Sequence, residues 1–391
     1  MNTPKRILPI IIFAQFAGTS LWFAGNAVLN QLVVSWGIPS NTLASVTSAV
    51  QFGFIVGTFV FALLSIADRF RPSAVFFLCA ILGGVANLSI VYLPADYTIL
   101  LIARFTTGFF LAGIYPIGMK IAHDWFEGKL GKALGFLVGA LVLGSAFPHL
   151  LNHFGSSAAW EKVMIGTSAI AVIGGLLVLL LVGDGPNRKA PARFAPTQFI
   201  SVFKNKEFRA AAFGYFGHMW ELYAFWAFVP VMIRYYNVYQ QGLIQVSLWT
   251  FIVMAIGALS STFGGIWSIK LGSTKTAMWF LAVSAVCCLA SPFFYELSRP
   301  MFLSALVVWG FAVIGDSAQL SSLNAQTAPK EWVGTALTVA VSIGFLLTIP
   351  SIYLLDYLNQ VIDTKYIMTC LAVGPILGLF STRKLLKKNL T

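Results

Sequence analysis

Charged residues are scarce in this sequence of 391 residues. Asp, Glu, Lys and Arg make up 10% of the chain, whereas hydrophobic residues make up 58% and the mean hydropathy is +0.83. Soluble domains carry about one quarter charged residues, so this chain could not cover a surface that faces water. The shortage of charge excludes a soluble enzyme and indicates that a lipid bilayer surrounds most of the chain.

Cysteine and histidine are also rare, with four of each, and all four cysteines lie inside apolar runs. No CxxC or Cys/His cluster is present, so we expect no metal, no cofactor and no disulfide. We expect no enzymatic activity. A membrane-embedded enzyme, or a transporter-like sensor that binds without translocating, stays as the alternative. The candidates for such an enzyme lack metal spacing and a carboxylate dyad; they are His149, His153 and the pair His123-Asp124.

Apolar runs of the length of a spanning helix, roughly 20 residues, fill almost the whole chain. Short segments rich in Gly, Pro and charge separate them. The sequence predicts an all-α membrane protein with twelve transmembrane helices, which leaves no room for a soluble catalytic domain. The predicted spans are 8–34, 42–67, 73–93, 97–122, 130–152, 160–182, 209–233, 243–268, 275–295, 301–324, 333–356 and 364–382.

The only long polar connection lies in the middle of the chain and contains three prolines, Pro186, Pro191 and Pro196. It predicts a cytoplasmic linker at 183–208 between two six-helix bundles, 1–182 and 209–391.

Two glycine motifs recur once in each half. Gly108–Gly113 matches Gly310–Gly315 at an offset of 202 residues, and Gly131–Leu134 matches Gly334–Leu337 at an offset of 203. Two matches at nearly one offset predict a duplicated, pseudo-symmetric pair of bundles, which is how many secondary transporters are built.

The positive charges lie on one side of this map. Of the 25 Lys and Arg residues, four fall on one side (Lys162, Arg234, Arg299 and Lys365), Arg104 falls inside a span, and the other twenty share the side of the N-terminus. The positive-inside rule therefore predicts that both termini are cytoplasmic, in an inner or plasma membrane. It also accounts for the net charge of +12 without nucleic acid as a partner.

Three full charges, Arg104, Glu221 and Asp316, lie deep within predicted spans rather than near their ends. Each costs at least about 2.5 kcal/mol at the centre of a bilayer, so each should face a partner or a cavity. His218 precedes Glu221 by three positions and shares its helix face. These four residues are candidates for proton coupling, or for buried locks between helices. The Arg104 guanidinium is also a candidate to bind a substrate carboxylate or phosphate.

Polar and aromatic side chains follow one face of the first span, at Gln15, Thr19, Trp22 and Asn26. The seventh span carries a run of aromatic residues that includes Tyr223 and Trp226. Such residues bind organic ligands or simply pack. We take Gln15, Trp22, Asn26, Arg104, Tyr223 and Trp226 as candidate substrate-binding residues.

The segment Leu64–Pro72 resembles the loop G-x-L-A-D-R-x-G-R-K of the major facilitator superfamily, with Ala67, Asp68 and Arg69 in place. Gly265–Gly272 resembles the same loop in the second half. The fourth span carries the R-x-x-x-G of that family as Arg104–Gly108, but the glycine-rich antiporter signature of the fifth span is incomplete, and no subfamily is assigned.

This resemblance implies that spans one, four, seven and ten line a central cavity. It also implies that Asp68 and Arg69 belong to a gate, in which Asp68 meets the start of the eleventh span near Trp332 and latches the outward-open state. We expect a monomeric secondary transporter that moves a small organic solute, anionic if Arg104 binds it, by alternating access coupled to protons.

Loss of the gate carboxylate is expected to shift the conformational population. Asp68→Asn removes the charge that a helix N-terminus attracts by about 0.3–1 kcal/mol. The variant should therefore show greater inward accessibility to water-soluble thiol probes than the parent. Equal inward accessibility in the two proteins would contradict the latch.

Overall fold

A computed structural model describes residues 4–39, 41–126, 130–155, 160–187 and 198–388. In these residues the secondary structure is helical, with no strand. The chain divides into two compact units, Met1–Ala192 and Arg193–Thr391. The predicted fold class is confirmed: the protein is all-α, with two bundles of six membrane-spanning segments. The boundaries of the predicted linker stay a prediction, and its residues 188–197 lie outside the described residues.

The described residues of unit 1 form ten α-helices. They are α1 Ile7–Thr19, α2 Ala24–Ala27, α3 Leu29–Trp36, α4 Leu43–Leu63, α5 Ile66–Arg69, α6 Pro72–Tyr92, α7 Tyr97–Leu111, α8 Tyr115–Trp125, α9 Leu130–Phe154 and α10 Trp160–Leu177. A π-helical turn, Val178–Val182, extends α10. The first span comprises α1 to α3 and the fourth comprises α7 and α8.

The described residues of unit 2 form eight α-helices. They are α11 Lys206–Tyr239, α12 Val246–Leu271, α13 Ser273–Phe294, α14 Arg299–Gly315, α15 Ser317–Thr327, α16 Val333–Val361, α17 Thr364–Ile367 and α18 Val373–Thr382. Among the described residues, ten helical stretches are long and apolar enough to cross a membrane. The two further spans are the interrupted α1–α3 and the 34-residue α11, which carries His218 and Glu221.

The first span is predicted as one apolar run, but α1 ends at Thr19 and α2 begins at Ala24. Thr19 and Ser20 donate their hydroxyls to the carbonyls of Gln15 and Ala17, both at 2.7 Å, in competition with the backbone ladder. The Trp22 amide bonds only three residues back, to Thr19 O. The helix therefore tightens and stops, which frees carbonyl groups of the next turn.

The repeated glycines lie at the same helix crossing in each unit. A methyl group on Gly108 of α7 would lie 2.0 Å from Val50 O of α4, and one on Gly310 of α14 would lie 2.0 Å from Val253 O of α12. Only a hydrogen fits where the backbones approach so closely. The duplication predicted from the sequence thus has a physical counterpart, the packing of the second span against the fourth.

One end of unit 2 is joined by polar contacts between three loops and helix ends. Lys365 Nζ and the Tyr239 hydroxyl donate to Glu296 Oε1 at 2.6 and 2.7 Å, and these bonds lower the pKa of Glu296. The Tyr235 hydroxyl donates to Asp363 Oδ1 at 2.5 Å. These contacts fix the end of α11 against the segments that precede α14 and α17.

Adding a methyl group at the glycine crossings is expected to destabilise each unit. Gly108→Ala and Gly310→Ala should each cost about 1–3 kcal/mol, because the backbones must separate. The measurement is the thermal unfolding midpoint in detergent.

Gly135→Ala and Gly265→Ala are the matched controls, since a methyl group at either position meets nothing within 4 Å. Their midpoints should equal or exceed that of the parent. Equal losses in all four variants would contradict the packing role.

Candidate functional site

Arg104 joins the break in the first span to the rest of unit 1. Its side chain lies on α7 and is completely buried. Nη2 donates to Leu21 O at 3.0 Å and to Trp22 O at 2.5 Å, and Nη1 donates to Asn87 Oδ1 at 2.9 Å. The guanidinium thus satisfies two carbonyls that the interrupted helix left without a ladder partner. A cation at a helix C-terminus also complements the helix dipole.

Asn87 of α6 extends this contact to a further helix. Its Nδ2 donates to Ser168 Oγ at 3.0 Å, to Thr167 Oγ1 at 3.2 Å and to Met164 O at 3.3 Å, all on α10. We call Arg104, Asn87 and the carbonyls of Leu21 and Trp22 the unit 1 tie. It links the first, third and fourth spans.

The polar stripe predicted along the first span does not stay on one continuous helix face, because the helix is interrupted between Thr19 and Ala24. Gln15 is buried against α8, where a methyl group on Gly118 would lie 2.1 Å from Gln15 Oε1. Trp22 packs on Phe54 of α4, with ring centroids 4.9 Å apart. Asn26 Nδ2 donates to Thr47 Oγ1 of α4 at 2.6 Å.

Glu221 is the centre of a corresponding contact in unit 2. Its Oε1 accepts hydrogen bonds from Ser284 Oγ at 2.5 Å, Trp309 Nε1 at 2.6 Å and the Cys288 thiol at 3.3 Å. Ser284 and Cys288 lie one turn apart on α13, and Trp309 lies on α14. We call these four residues the unit 2 tie. It also links the first, third and fourth spans of its unit.

His218 contacts Asp316, at the junction of α14 and α15. Nδ1 lies 2.8 Å from Asp316 Oδ1, and both side chains are almost fully buried. The helix face that His218 shares with Glu221 predicts that His218 acts together with Glu221. The structure gives the two residues different partners: His218 pairs with Asp316, and Glu221 accepts from α13 and α14.

The two aromatic candidates of α11 pack within unit 2. Tyr223 forms edge contacts with Trp226 and a tilted contact with Phe345 of α16, at centroid distances of 5.5 and 5.3 Å. Tyr223 and Trp226 are buried. The arrangement places a cluster of aromatic rings between α11 and α16.

The candidate gate residues lie on the short helix α5. Asp68 Oδ1 accepts from Lys120 Nζ of α8 at 2.9 Å, whereas Arg69 is exposed. The same loop is anchored a second time, since Arg71 Nε lies 3.1 Å from Asp184 Oδ2. The segment that resembles the family loop is therefore held to the end of the fourth span and to the segment after the sixth.

Several residues of the two ties are not among the candidates that the sequence indicates. Asn87 is a lone amide in an otherwise apolar span, and Trp309 looks like an ordinary core aromatic. The spacing of Ser284 and Cys288 does indicate a shared contact, since a hydroxyl and a thiol four positions apart lie on one helix face. Cys288 is buried as expected, but its thiol also contacts Glu221.

Among the described residues, no group of three or more His, Cys, Asp and Glu side chains is placed to hold a metal ion. What the ties and the pair do contain is buried ionisable side chains with polar contacts on neighbouring helices. Such contacts can lock helices together, and ionisable groups inside a membrane also mark candidate functional sites.

The comparisons with known proteins agree on the fold. The family model of the Major Facilitator Superfamily matches residues 10–382. The structure of a mutant of the nucleoside transporter NupG superposes with a TM-score of 0.72 at 13% identity, covering 97% of this chain and 100% of that one. The human organic anion transporter MFSD10 superposes with a TM-score of 0.68 at 13% identity, covering 98% and 100%. None of the curated proteins matches this sequence.

Removing the guanidinium is expected to destabilise unit 1. Arg104→Met keeps the length of the side chain but leaves the carbonyls of Leu21 and Trp22 and the amide oxygen of Asn87 without this donor. The cost should be about 2–4 kcal/mol, because unsatisfied buried polar groups are expensive. The measurement is the unfolding midpoint in detergent, with the exposed Arg299→Met as the control. A midpoint equal to that of the control would contradict the role of the tie.

Proposed function

This chain belongs to the Major Facilitator Superfamily, and from that premise we propose that it is a secondary active transporter that uses the proton gradient to move a small organic solute by alternating access. Its structural neighbours include two transporters that cover nearly its whole length. The observation that supports proton coupling is the buried contact between His218 and Asp316.

The chemistry of this pair suits the binding of a single proton. With one shared proton, the imidazole and the carboxylate carry no net charge, whether the pair is written as His⁺ with Asp⁻ or as two neutral groups. Loss of that proton leaves one net negative charge. Because net charge is costly in a low-dielectric interior, the occupied and empty states of the pair should differ in the conformation they favour.

Glu221 and Arg104 have a different part in this proposal. Three donors converge on one oxygen of Glu221, so the carboxyl group is held in place against α13 and α14. Arg104 is held by three oxygens. Both were candidates for proton coupling. We propose that Glu221 sets the electrostatic environment of the proton site within unit 2, and that each of the two residues holds the spans of its own unit.

The solute is proposed to contact Gln15, Trp22 and Asn26 of the first span and the aromatic pair Tyr223 and Trp226. Two structural neighbours are a nucleoside transporter and an organic anion transporter, which both carry small organic solutes. An anionic solute would need Arg104, whose guanidinium already donates to three oxygens. The geometry therefore supports a small organic solute without a requirement for negative charge.

The orientation and the gate follow from the charge distribution. We propose that the termini are cytoplasmic, since twenty of the 25 Lys and Arg residues fall on the side of the N-terminus. We also propose a monomer in an inner or plasma membrane. Asp68 and Arg69 are proposed to act in gating, with Lys120 as an additional partner of Asp68. A sensor that binds without translocating remains the rival, and transport assays separate the two.

Asp316→Asn is expected to uncouple transport from the proton gradient. A thermal-shift screen of the purified protein across metabolite classes first supplies a solute. In proteoliposomes with an imposed pH gradient, the variant should lose accumulation of this solute by at least about tenfold, because an amide takes up no proton at this site. Exchange of solute at equal pH should persist.

The exposed Glu331→Gln is the control and should accumulate solute as the parent does. Full accumulation by Asp316→Asn would contradict the assignment of the proton site. Binding of the solute without any uptake by the parent protein would favour the sensor.

A further inference from the structure

Gln51 of α4 is a buried amide without a hydrogen-bond partner. Its side chain has no exposed surface, and neither Nε2 nor Oε1 contacts a hydrogen-bonding group among the described residues. A buried amide without compensation costs roughly 1–3 kcal/mol by protein mutational data. The chain keeps a donor and an acceptor here at a cost to its own stability.

The position of Gln51 follows from its neighbours on α4. Thr47, Gln51 and Phe54 are spaced by four and three residues, so they share one face of this uninterrupted helix. Thr47 accepts from Asn26, and Phe54 packs on Trp22. Gln51 lies between them and therefore faces the break of the first span.

A second group at this place is also unsatisfied. Asn26 uses its Nδ2 on Thr47, but its buried Oδ1 has no hydrogen-bond partner among the described residues. The positive charge nearby is already engaged, because Arg104 donates to Leu21 O, Trp22 O and Asn87 Oδ1. The break thus offers free amide donors and acceptors, and a cation whose two Nη atoms are in use.

We propose that Gln51 and Asn26 form a recognition site for an uncharged solute that presents a hydrogen-bond donor beside an acceptor, as carboxamides, lactams and imides do. A primary amide such as Gln51 can donate and accept with one such group at once. The proposal rests on the proposed transport function, names the solute class for it, and adds Gln51 to the residues that contact the solute.

The unpaired donors and acceptors of Gln51 and Asn26 also disfavour an anionic solute. A carboxylate only accepts, so it would leave Gln51 Oε1 and Asn26 Oδ1 unpaired and face two acceptor oxygens. The two Nη atoms of Arg104 already donate to three oxygens, so a carboxylate could reach the guanidinium only through Nε, which has no hydrogen-bond partner among the described residues. A site with paired donors and acceptors rejects analogues that cannot satisfy both.

The test uses pairs of probes that differ mainly in charge: nicotinamide with nicotinate, and uracil with orotate. The purified full-length protein in detergent is titrated with each, and the melting temperature is recorded. At least one neutral member should raise the melting temperature, and its carboxylate counterpart should raise it less or not at all. Stabilisation by carboxylates alone, or by no probe, overturns the proposal.

Gln51→Leu separates recognition from a structural role. Because the amide has no internal partner to lose, the ligand-free variant should melt at the parent temperature or above it. Its Kd for the neutral probe should rise at least about tenfold, the change expected for one lost hydrogen-bonding group. A lower melting temperature of the ligand-free variant, or an unchanged Kd, overturns the proposal.

Gln326→Leu is the matched control, since Gln326 is exposed and donates to Ser322 on its own helix. It should leave the Kd unchanged. Uptake of the bound probe into proteoliposomes then tests the transport function separately from the recognition site. A neutral probe that binds through Gln51 and is not carried leaves this inference intact and counts against transport. If only a carboxylate probe binds and is carried, the proposed recognition site is overturned and the transport function is supported.

Discussion

A backbone carbonyl in the bilayer must have a partner, and in the first span of this protein α1 ends at Thr19, which leaves the carbonyls of Leu21 and Trp22 outside the helical ladder. Arg104 supplies that partner from α7, with bonds of 3.0 and 2.5 Å to Leu21 O and Trp22 O. The position of α7, and through Asn87 the positions of α6 and α10, depend on this contact. Three oxygens that accept hydrogen bonds from the guanidinium offset the cost of burying its charge.

The two units connect the same helices through different residues. In unit 1 the Arg104 guanidinium on the fourth span bonds to the first and third spans; in unit 2 the Glu221 carboxyl group on the first span accepts from the third and fourth. The glycines of the second and fourth spans cross at the same place in both units. The arrangement of helices is therefore repeated, whereas the residue at the centre of the contact differs.

Features that depend on local pattern could be predicted from the sequence. Twelve spans, two bundles and the glycine repeat follow from hydropathy and spacing, and the structure accounts for the repeat at Gly108 and Gly310. Partners far apart in the sequence could not be predicted. His218 and Glu221 share a helix face, yet their partners lie on α13, α14 and the junction with α15. The interruption of the first span also escaped prediction, because it depends on two hydroxyls bonding back to their own helix.

The broken first span also sets an order for biosynthesis. The carbonyl of Trp22 lies 82 residues upstream of the guanidinium that satisfies it. At about 5–20 residues per second, a ribosome needs roughly 4–16 s to produce the intervening chain. Throughout that interval the broken conformation would leave this carbonyl without its partner in hydrocarbon. The break is therefore stable in the membrane only after the fourth span has been made.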